Sequence, residues 1–153
     1  MTWRMVNYPS KEDFETFIEI LQKGDYKIKK YLPPINREWY EVISGCVQYV
    51  EHTSHYEKLS FAEICARLLY KVAKRHELGD GNKRSSVMAV FLFCLVNDYH
   101  VYSPVIIKQQ AKRVSSTKGR VNETIMRTRL AKVLRKIIKK HKKPRTRKPL
   151  SGG

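Results

Sequence analysis

The side chains best suited to chemistry stand in the nine-residue segment 76–84, whose sequence is HELGDGNKR. His76 can take up a proton near neutral pH, as a general base must do. Four residues later, Asp80 offers a carboxylate oxygen, the kind of hard ligand that Mg²⁺ prefers. A base and a metal ligand this close together in the chain indicate chemistry at a phosphorus atom.

The second half of the segment is suited to holding phosphate groups. Gly81 lets an anion approach the backbone closely, and Asn82 can cap a helix or donate a hydrogen bond to phosphate. The apolar run that follows predicts a helix beginning near residues 82–84, where unpaired N–H groups and partial positive charge attract anions. Cations are normally unfavourable in a first helical turn, so Lys83 and Arg84 there favour a multiply charged anion between them.

The segment resembles the signature of the Fic/Doc family, H-x-F-x-(D/E)-(G/A)-N-(K/G)-R, with Leu78 in place of the usual Phe. The resemblance covers about residues 10–138 and implies a transferase that uses ATP and Mg²⁺. It implies that His76 deprotonates a hydroxyl of a target protein and that Asp80 binds Mg²⁺. The residues that it implies for holding the phosphates of ATP are Gly81, Asn82, Lys83 and Arg84.

Two departures within this resemblance bear on which group is transferred. Family members that transfer AMP usually read G-N-G-R-x-x-R, whereas this chain has Lys83 for the second Gly and Val87 for the second Arg. Both departures match the Doc-like branch of death-on-curing toxins, whose members move the γ-phosphate of ATP to a Thr of elongation factor Tu. The resemblance therefore favours transfer of phosphate to a Thr or Ser hydroxyl, with AMP transfer as the alternative.

Many family members carry an inhibitory (S/T)-x-x-x-E-(G/N) helix, and the nearest stretch here runs from Thr53 to Glu57. Lys58 follows it and does not fit the pattern. Inhibition within the chain is therefore unsupported, and the resemblance implies a separate antitoxin protein.

The elements that must position the segment are helical throughout, which predicts an all-α single domain. Helical apolar spacing and capping residues predict helices over roughly 11–23, from Asn36, from Ser60 to about Arg75, from 82 to about 96, from Ser103 and from Asn122. The fourth is apolar on almost every side, so it should be the buried central helix. Residues 25–35 read as a loop that can include a short extended flap at 26–32. Its residues Tyr26, Lys27, Lys29 and Lys30 have two equal interpretations. They belong either to a flap that docks the target or nucleotide, or to a solvated loop.

Charge divides the chain into a neutral part and a basic part. Residues 1–100 carry 14 basic and 13 acidic side chains, while residues 101–153 carry 17 basic side chains against the single acid Glu123. We assign the catalytic domain to residues 1–138 and a basic, disordered tail to 139–153. The basic stretch Arg127–Lys148 has three interpretations: a solvated face, a nucleic-acid or ribosome contact, or a seat for an acidic antitoxin segment. A hypothesis of another class is a non-catalytic nucleic-acid-binding module that uses this basic C-terminus.

The remaining features argue for an ordinary cytoplasmic protein. Cys46, Cys65 and Cys94 are widely spaced in apolar stretches, which predicts buried reduced thiols. His52 and His55 are spaced to share a metal on a helix, but they have no evident third ligand and read as surface histidines. The N-terminus has no apolar signal region and no apolar run is long enough to span a bilayer, so we expect no membrane association and a cytoplasmic location.

Overall fold

The computed structural model describes residues 6–75, 82–116 and 122–141, and they form one helical domain, as predicted from the sequence. Six α-helices make up most of the described residues. They are α1 (Lys11–Lys23), α2 (Arg37–Ser54), α3 (Phe61–Ala73), α4 (Asn82–Val96), α5 (Pro104–Ser116) and α6 (Glu123–Ile137). A 3-10 helix (Lys27–Tyr31) lies between α1 and α2, and the strands β1 (Tyr99–Val101) and β2 (Ile138–Lys140) flank α5 and α6.

The capping residues that the sequence predicts do begin their helices. Ser10 and Asp13 form a capping box at α1, and Ser60 and Glu63 form one at α3. The Asn36 side chain caps α2 by accepting the N–H of Trp39. Each of these side chains satisfies a backbone N–H that a helix start leaves without an intrahelical partner.

Helix α4 is the centre of the core, as its all-round apolar sequence predicts. Every residue from Ser85 to Val90 is buried, and α4 packs against α3, α5 and β1. At its far end, Phe61 of α3 stacks between the rings of Phe93 and Tyr99, with centroids 5.2 and 3.9 Å away. The apolar spacing of the sequence also places Leu95 and Val105 in the core, but Leu95 is 40% exposed and Val105 is 47% exposed.

A small antiparallel sheet forms between residues 99–101 and residues 138–140, and at 138–140 the sequence predicted the end of the last helix and the start of the basic tail. Strand β1 pairs with β2 in the register Tyr99↔Lys140, His100↔Lys139 and Val101↔Ile138. The last helix therefore ends at Ile137, and Lys139 and Lys140 lie in a strand, although we placed them in the basic tail. Local sequence cannot show this pairing, because the partner strand lies about forty residues away in the chain. The part of the expected tail at 142–153 lies outside the described residues.

Two further predictions of local structure were wrong. The possible extended flap is a 3-10 helix, in which Ile28 and Tyr31 are buried and the lysines are exposed. These two apolar residues are three apart, which matches the three-residue turn of a 3-10 helix. The second concerns residues 52–59, whose polar sequence predicts a connection after α2. The helix continues through Ser54, because polar side chains on a solvent-facing surface do not by themselves end a helix.

Candidate functional site

The segment 76–84 connects the end of α3 to the start of the buried helix α4. Its described residues are Asn82, Lys83 and Arg84, and these three form the first turn of α4. His76, Asp80 and Gly81 lie outside the described residues, so their assigned roles stay predictions. The sequence-derived prediction that a helix begins at residues 82–84 is confirmed.

Asn82 joins the two helices on either side of the segment. Its side-chain Nδ2 donates a hydrogen bond of 2.9 Å to the carbonyl oxygen of Ala73, the last residue of α3. The backbone carbonyl of Asn82 accepts the hydroxyl of Ser86 at 2.9 Å. One of the two amide hydrogens of the side chain therefore links the start of α4 to the end of α3. A side-chain amide carries a second hydrogen, which can be donated to a phosphate oxygen.

The residue after Arg84 anchors the first turn of α4 to a different helix. Ser85 is buried, and its Oγ accepts a 2.7 Å hydrogen bond from Nε1 of Trp39 in α2. Trp39 is held in turn by an edge-to-face contact with Phe14 of α1, with ring centroids 6.3 Å apart. This cross-helix bond ties the first turn of α4, which also carries Lys83 and Arg84, to α2.

The first turn of α4 has the electrostatic character of an anion site. It contains no acidic residue, while Lys83 is half-buried and Arg84 is exposed. The N-terminus of a 15-residue helix adds partial positive charge at the same place. Residues 83 and 84 are thus accessible to a ligand, whereas the six residues that follow are closed off in the core. These observations fit a bound anion.

Val87 lies one turn beyond Lys83, at the position that corresponds to the second arginine of the G-N-G-R-x-x-R pattern. It is fully buried. An arginine at such a position would have to place its charge in the apolar core, which is strongly unfavourable without a partner. In this chain, position 87 serves packing and offers no phosphate clamp.

The other candidate residues are arranged as follows. His52 and His55 are exposed, and among residues 6–75, 82–116 and 122–141 no three His, Cys, Asp or Glu side chains are grouped to hold a metal. Lys27, Lys29 and Lys30 are exposed on the 3-10 helix, and Tyr26 is 50% exposed. The three cysteines are buried and unbridged, which confirms the prediction. Burial, together with the neighbouring Cys94, raises the pKa of the Cys65 thiol well above its ordinary value.

Glu57, the acid of the stretch compared with an inhibitory helix, takes part in an ion pair within the fold. Its Oε2 lies 2.5 Å from Nη1 of Arg67 in α3, and this contact lowers the pKa of the Glu57 carboxyl. The same guanidinium donates to the carbonyl of Thr53 at 3.4 Å. Through Arg67, Glu57 therefore helps to hold the turn after α2 in place.

Sequence reasoning missed the Trp39–Ser85 bond. Trp39 reads simply as core by its spacing, and Ser85 reads as part of an apolar helix. A signal was nevertheless present, because a serine in a helix that is apolar all round needs a partner, and a buried indole needs an acceptor. What the sequence could not show is that these two residues, 46 positions apart, satisfy each other.

Comparisons with protein-family models, curated proteins and solved structures found no match to this chain. In the part of the chain that the structure describes, no helix has both the length and the apolar character needed to cross a membrane.

Proposed function

We propose that this protein is an ATP- and Mg²⁺-dependent phosphotransferase of the Fic/Doc type that acts on a hydroxyl group of another protein. The observation that carries the proposal is the sequence HELGDGNKR, placed between α3 and the buried helix α4. Its last three residues form an accessible first turn of α4 that contains no acidic residue. The N-terminus of a helix stabilises phosphate groups through its backbone N–H groups and its dipole. Six defined residue types at the required spacing make a chance match to the family signature improbable.

In this proposal the side chains divide the work of an in-line displacement. His76 removes the proton of a target Thr or Ser hydroxyl, and the oxygen attacks the γ-phosphorus of ATP. The bond from that phosphorus to the bridging β-oxygen breaks, and ADP leaves with the electron pair. Asp80 would hold Mg²⁺, which would supply positive charge to neutralise the phosphates. Lys83 and Arg84 bind the phosphate oxygens together with the backbone from Gly81 onward.

The choice of phosphate over AMP rests on positions 83 and 87. An AMP-transferring site needs the β- and γ-phosphates held deep in the site as the leaving group. Lys83 fills space that a glycine would leave for them, and the buried Val87 provides no second arginine clamp. We therefore propose that ATP binds with its γ-phosphate toward His76, as in the Doc-like branch.

The partners follow from the same proposal. The target is a protein with an accessible Thr or Ser, such as a translation elongation factor. In the stretch Thr53–Glu57, which comes nearest to the inhibitory pattern, the glutamate pairs with Arg67 and therefore does not serve as an inhibitory side chain. We propose that a separate antitoxin protein restrains the activity and that the protein acts in the cytoplasm.

The decisive experiment supplies ATP labelled at either the α- or the γ-phosphate. Purified protein, Mg²⁺ and a bacterial lysate are incubated with each form, and labelled protein bands are compared. Transfer of the γ label alone is the expected result. Transfer of the α label would assign AMP transfer instead. Absence of both labels from every band would favour the non-catalytic nucleic-acid-binding module.

Calorimetry with ATP tests the assignment of the phosphate-binding residues separately from catalysis. Arg84→Ala should weaken Mg²⁺-ATP binding by roughly 10- to 100-fold, because a hydrogen bond to a charged group contributes about 1.5–3 kcal/mol. Asp80→Asn should weaken binding only when Mg²⁺ is present. Arg37→Ala is the matched control, since Arg37 is an exposed arginine of α2 that pairs with Glu41. Equal affinities in all three variants and the parent would mean that nucleotide does not bind in this segment.

A further inference from the structure

Helix α6 presents a row of basic side chains to solvent on the side opposite the core. Its buried side consists of Leu130, Ala131, Leu134 and Ile137. Its exposed basic side chains include Arg129, Lys132 and Lys136, which recur at helical spacing. Strand β2 follows the helix directly and adds the exposed Lys139. We call Arg129, Lys132, Lys136 and Lys139 the basic row.

The basic row differs from the other arginines of α6, because none of its four side chains has an acidic partner among the described residues. Arg127 is 3.5 Å from Glu123, and Arg135 is 3.5 Å from Glu63 and donates to Ser60. Those two arginines therefore stabilise the fold. The basic row forms no ion pair with any residue in 6–75, 82–116 or 122–141. Four exposed cations held on α6 and the adjoining β2, without a described acid to compensate them, repel one another at a cost that fold stability does not explain.

We infer that the basic row is a docking surface for the phosphate backbone of a nucleic-acid duplex. Lys136 lies about seven positions after Arg129 in the helix, which corresponds to a rise of about 10.5 Å along its axis. A duplex carries one negative charge per about 1.7 Å of its axis, so a row of this length faces several phosphates. The charge of the row and the charge of such a partner are complementary.

The make-up of the exposed side of α6 favours a duplex over other acidic partners. Along α6 this side carries no aromatic residue, so a single strand lying on the helix has no ring on which its bases can stack. The exposed rings of His100 and Tyr102 lie beyond the helix, next to Lys139 in the sheet. Protein interfaces are usually anchored by buried aromatic or apolar side chains, and the one large apolar side chain exposed here is Ile125, at the opposite end from Lys139. Backbone contacts by lysine and arginine alone predict binding that does not depend on base sequence. The inference does not rest on the proposed transferase activity.

The test measures binding of a short fluorescent DNA duplex, and of an RNA duplex of the same length, by fluorescence anisotropy across a range of salt concentrations. The full-length variant Arg129→Gln, Lys132→Gln, Lys136→Gln removes three charges from exposed positions, and glutamine keeps a high helix propensity. If each side chain contacts one phosphate, the slope of log K against log salt becomes shallower by about 2.7 units. The same relation predicts affinity for DNA roughly 100-fold or more lower at about 0.1 M salt.

The matched control is Lys11→Gln, Lys23→Gln, Arg37→Gln, which removes the same net charge from α1 and α2. These three side chains pair with Glu15, Glu19 and Glu41 in their own helices. The control should keep most of the parent's affinity for the duplex and most of its salt slope. Thermal melting should show that both variants fold.

Three results would overturn the inference. The first is an unchanged slope in the basic-row variant, which would assign any binding to other parts of the chain. The second is an equal loss in the control, which would mean that net charge alone matters. The third is displacement of the duplex by polyglutamate at equal charge concentration, which would assign the row to an acidic protein.

Discussion

Replacing Ser85 with alanine removes the one oxygen that accepts the indole N–H of Trp39. Both residues are buried, with Trp39 2% exposed and Ser85 fully enclosed, and the bond measures 2.7 Å. Water cannot replace the lost acceptor without opening the packing between α2 and α4. The variant therefore tests whether this bond secures the first turn of α4.

The magnitude follows from leaving a buried donor without a partner, which costs about 1–3 kcal/mol. Alanine has a better helix propensity than serine by a few tenths of a kcal/mol, which offsets a small part of this loss. A net loss of about 1–2.5 kcal/mol is expected, equivalent to a fall in melting temperature of roughly 2–10 °C for a chain of this size. The first turn also positions Lys83 and Arg84, so ATP binding should weaken in the same variant.

Urea unfolding followed by far-ultraviolet circular dichroism gives the free energy of unfolding without relying on tryptophan fluorescence. A double-mutant cycle with Trp39→Phe isolates the bond, because phenylalanine removes the donor and keeps much of the ring packing. In the Trp39→Phe background, Ser85→Ala should cost much less, and the difference between the two costs should be at least about 1 kcal/mol.

Ser86→Ala is the matched control. Ser86 is equally buried, but its hydroxyl donates to the backbone carbonyl of Asn82 in its own helix. The same chemical change one residue along should therefore alter stability by less than about 0.5 kcal/mol. If Ser85→Ala and Ser86→Ala have the same effect, or if the cycle shows no coupling, the reasoning about the cross-helix bond is refuted.

Three further predictions concern the rest of the fold. Gly45→Ala should raise the free energy of unfolding by about 1 kcal/mol in urea titrations, because Gly45 lies inside α2 and an added Cβ meets nothing within 4 Å; a loss of stability would contradict this. The pKa of Glu63 is lowered from 4.5, chiefly by the backbone N–H of Ser60, so its carboxylate stabilises the fold above that value and loses this effect as the pH falls through the lowered pKa. Glu63→Gln should therefore lose less stability than the parent between about pH 5 and about pH 3, and parallel profiles would contradict the assignment. The three buried cysteines should react with a thiol reagent only as fast as the protein unfolds, and rapid labelling of the native protein would show that they are accessible.

Local signals predicted the helices well because the decisive residues sit next to one another in the chain. The capping box of Ser10 and Asp13 and the following Gly24 fix the limits of α1, which runs from Lys11 to Lys23 as predicted. The burial of α4 was equally readable, because its sequence leaves no polar side for water. These features depend on residues within one or two helical turns, where sequence alone carries the physical information.

Features that depend on distant residues could not be predicted in this way. Ile138 continues the apolar spacing of α6, yet it forms a strand because Val101 is available to pair with it. The hydrogen bond from the Asn82 side chain to Ala73 depends on how α3 and α4 approach each other. The sequence predicted the residue types of the candidate site and where its helix begins, while the contacts that hold this first turn in place appear only in the folded chain.

The proposed function requires that the segment beginning at His76 transfers phosphate from ATP to another protein. A transfer assay with γ-labelled ATP, Mg²⁺ and lysate compares the parent, His76→Ala and His52→Ala. His52 is an exposed histidine on α2 and serves as the matched control. A discrete protein band should be labelled by the parent and by His52→Ala, and His76→Ala should label it about 10²- to 10⁴-fold more slowly. Equal labelling by His76→Ala and the parent would contradict the assignment of His76 as the general base and, with it, the proposed function.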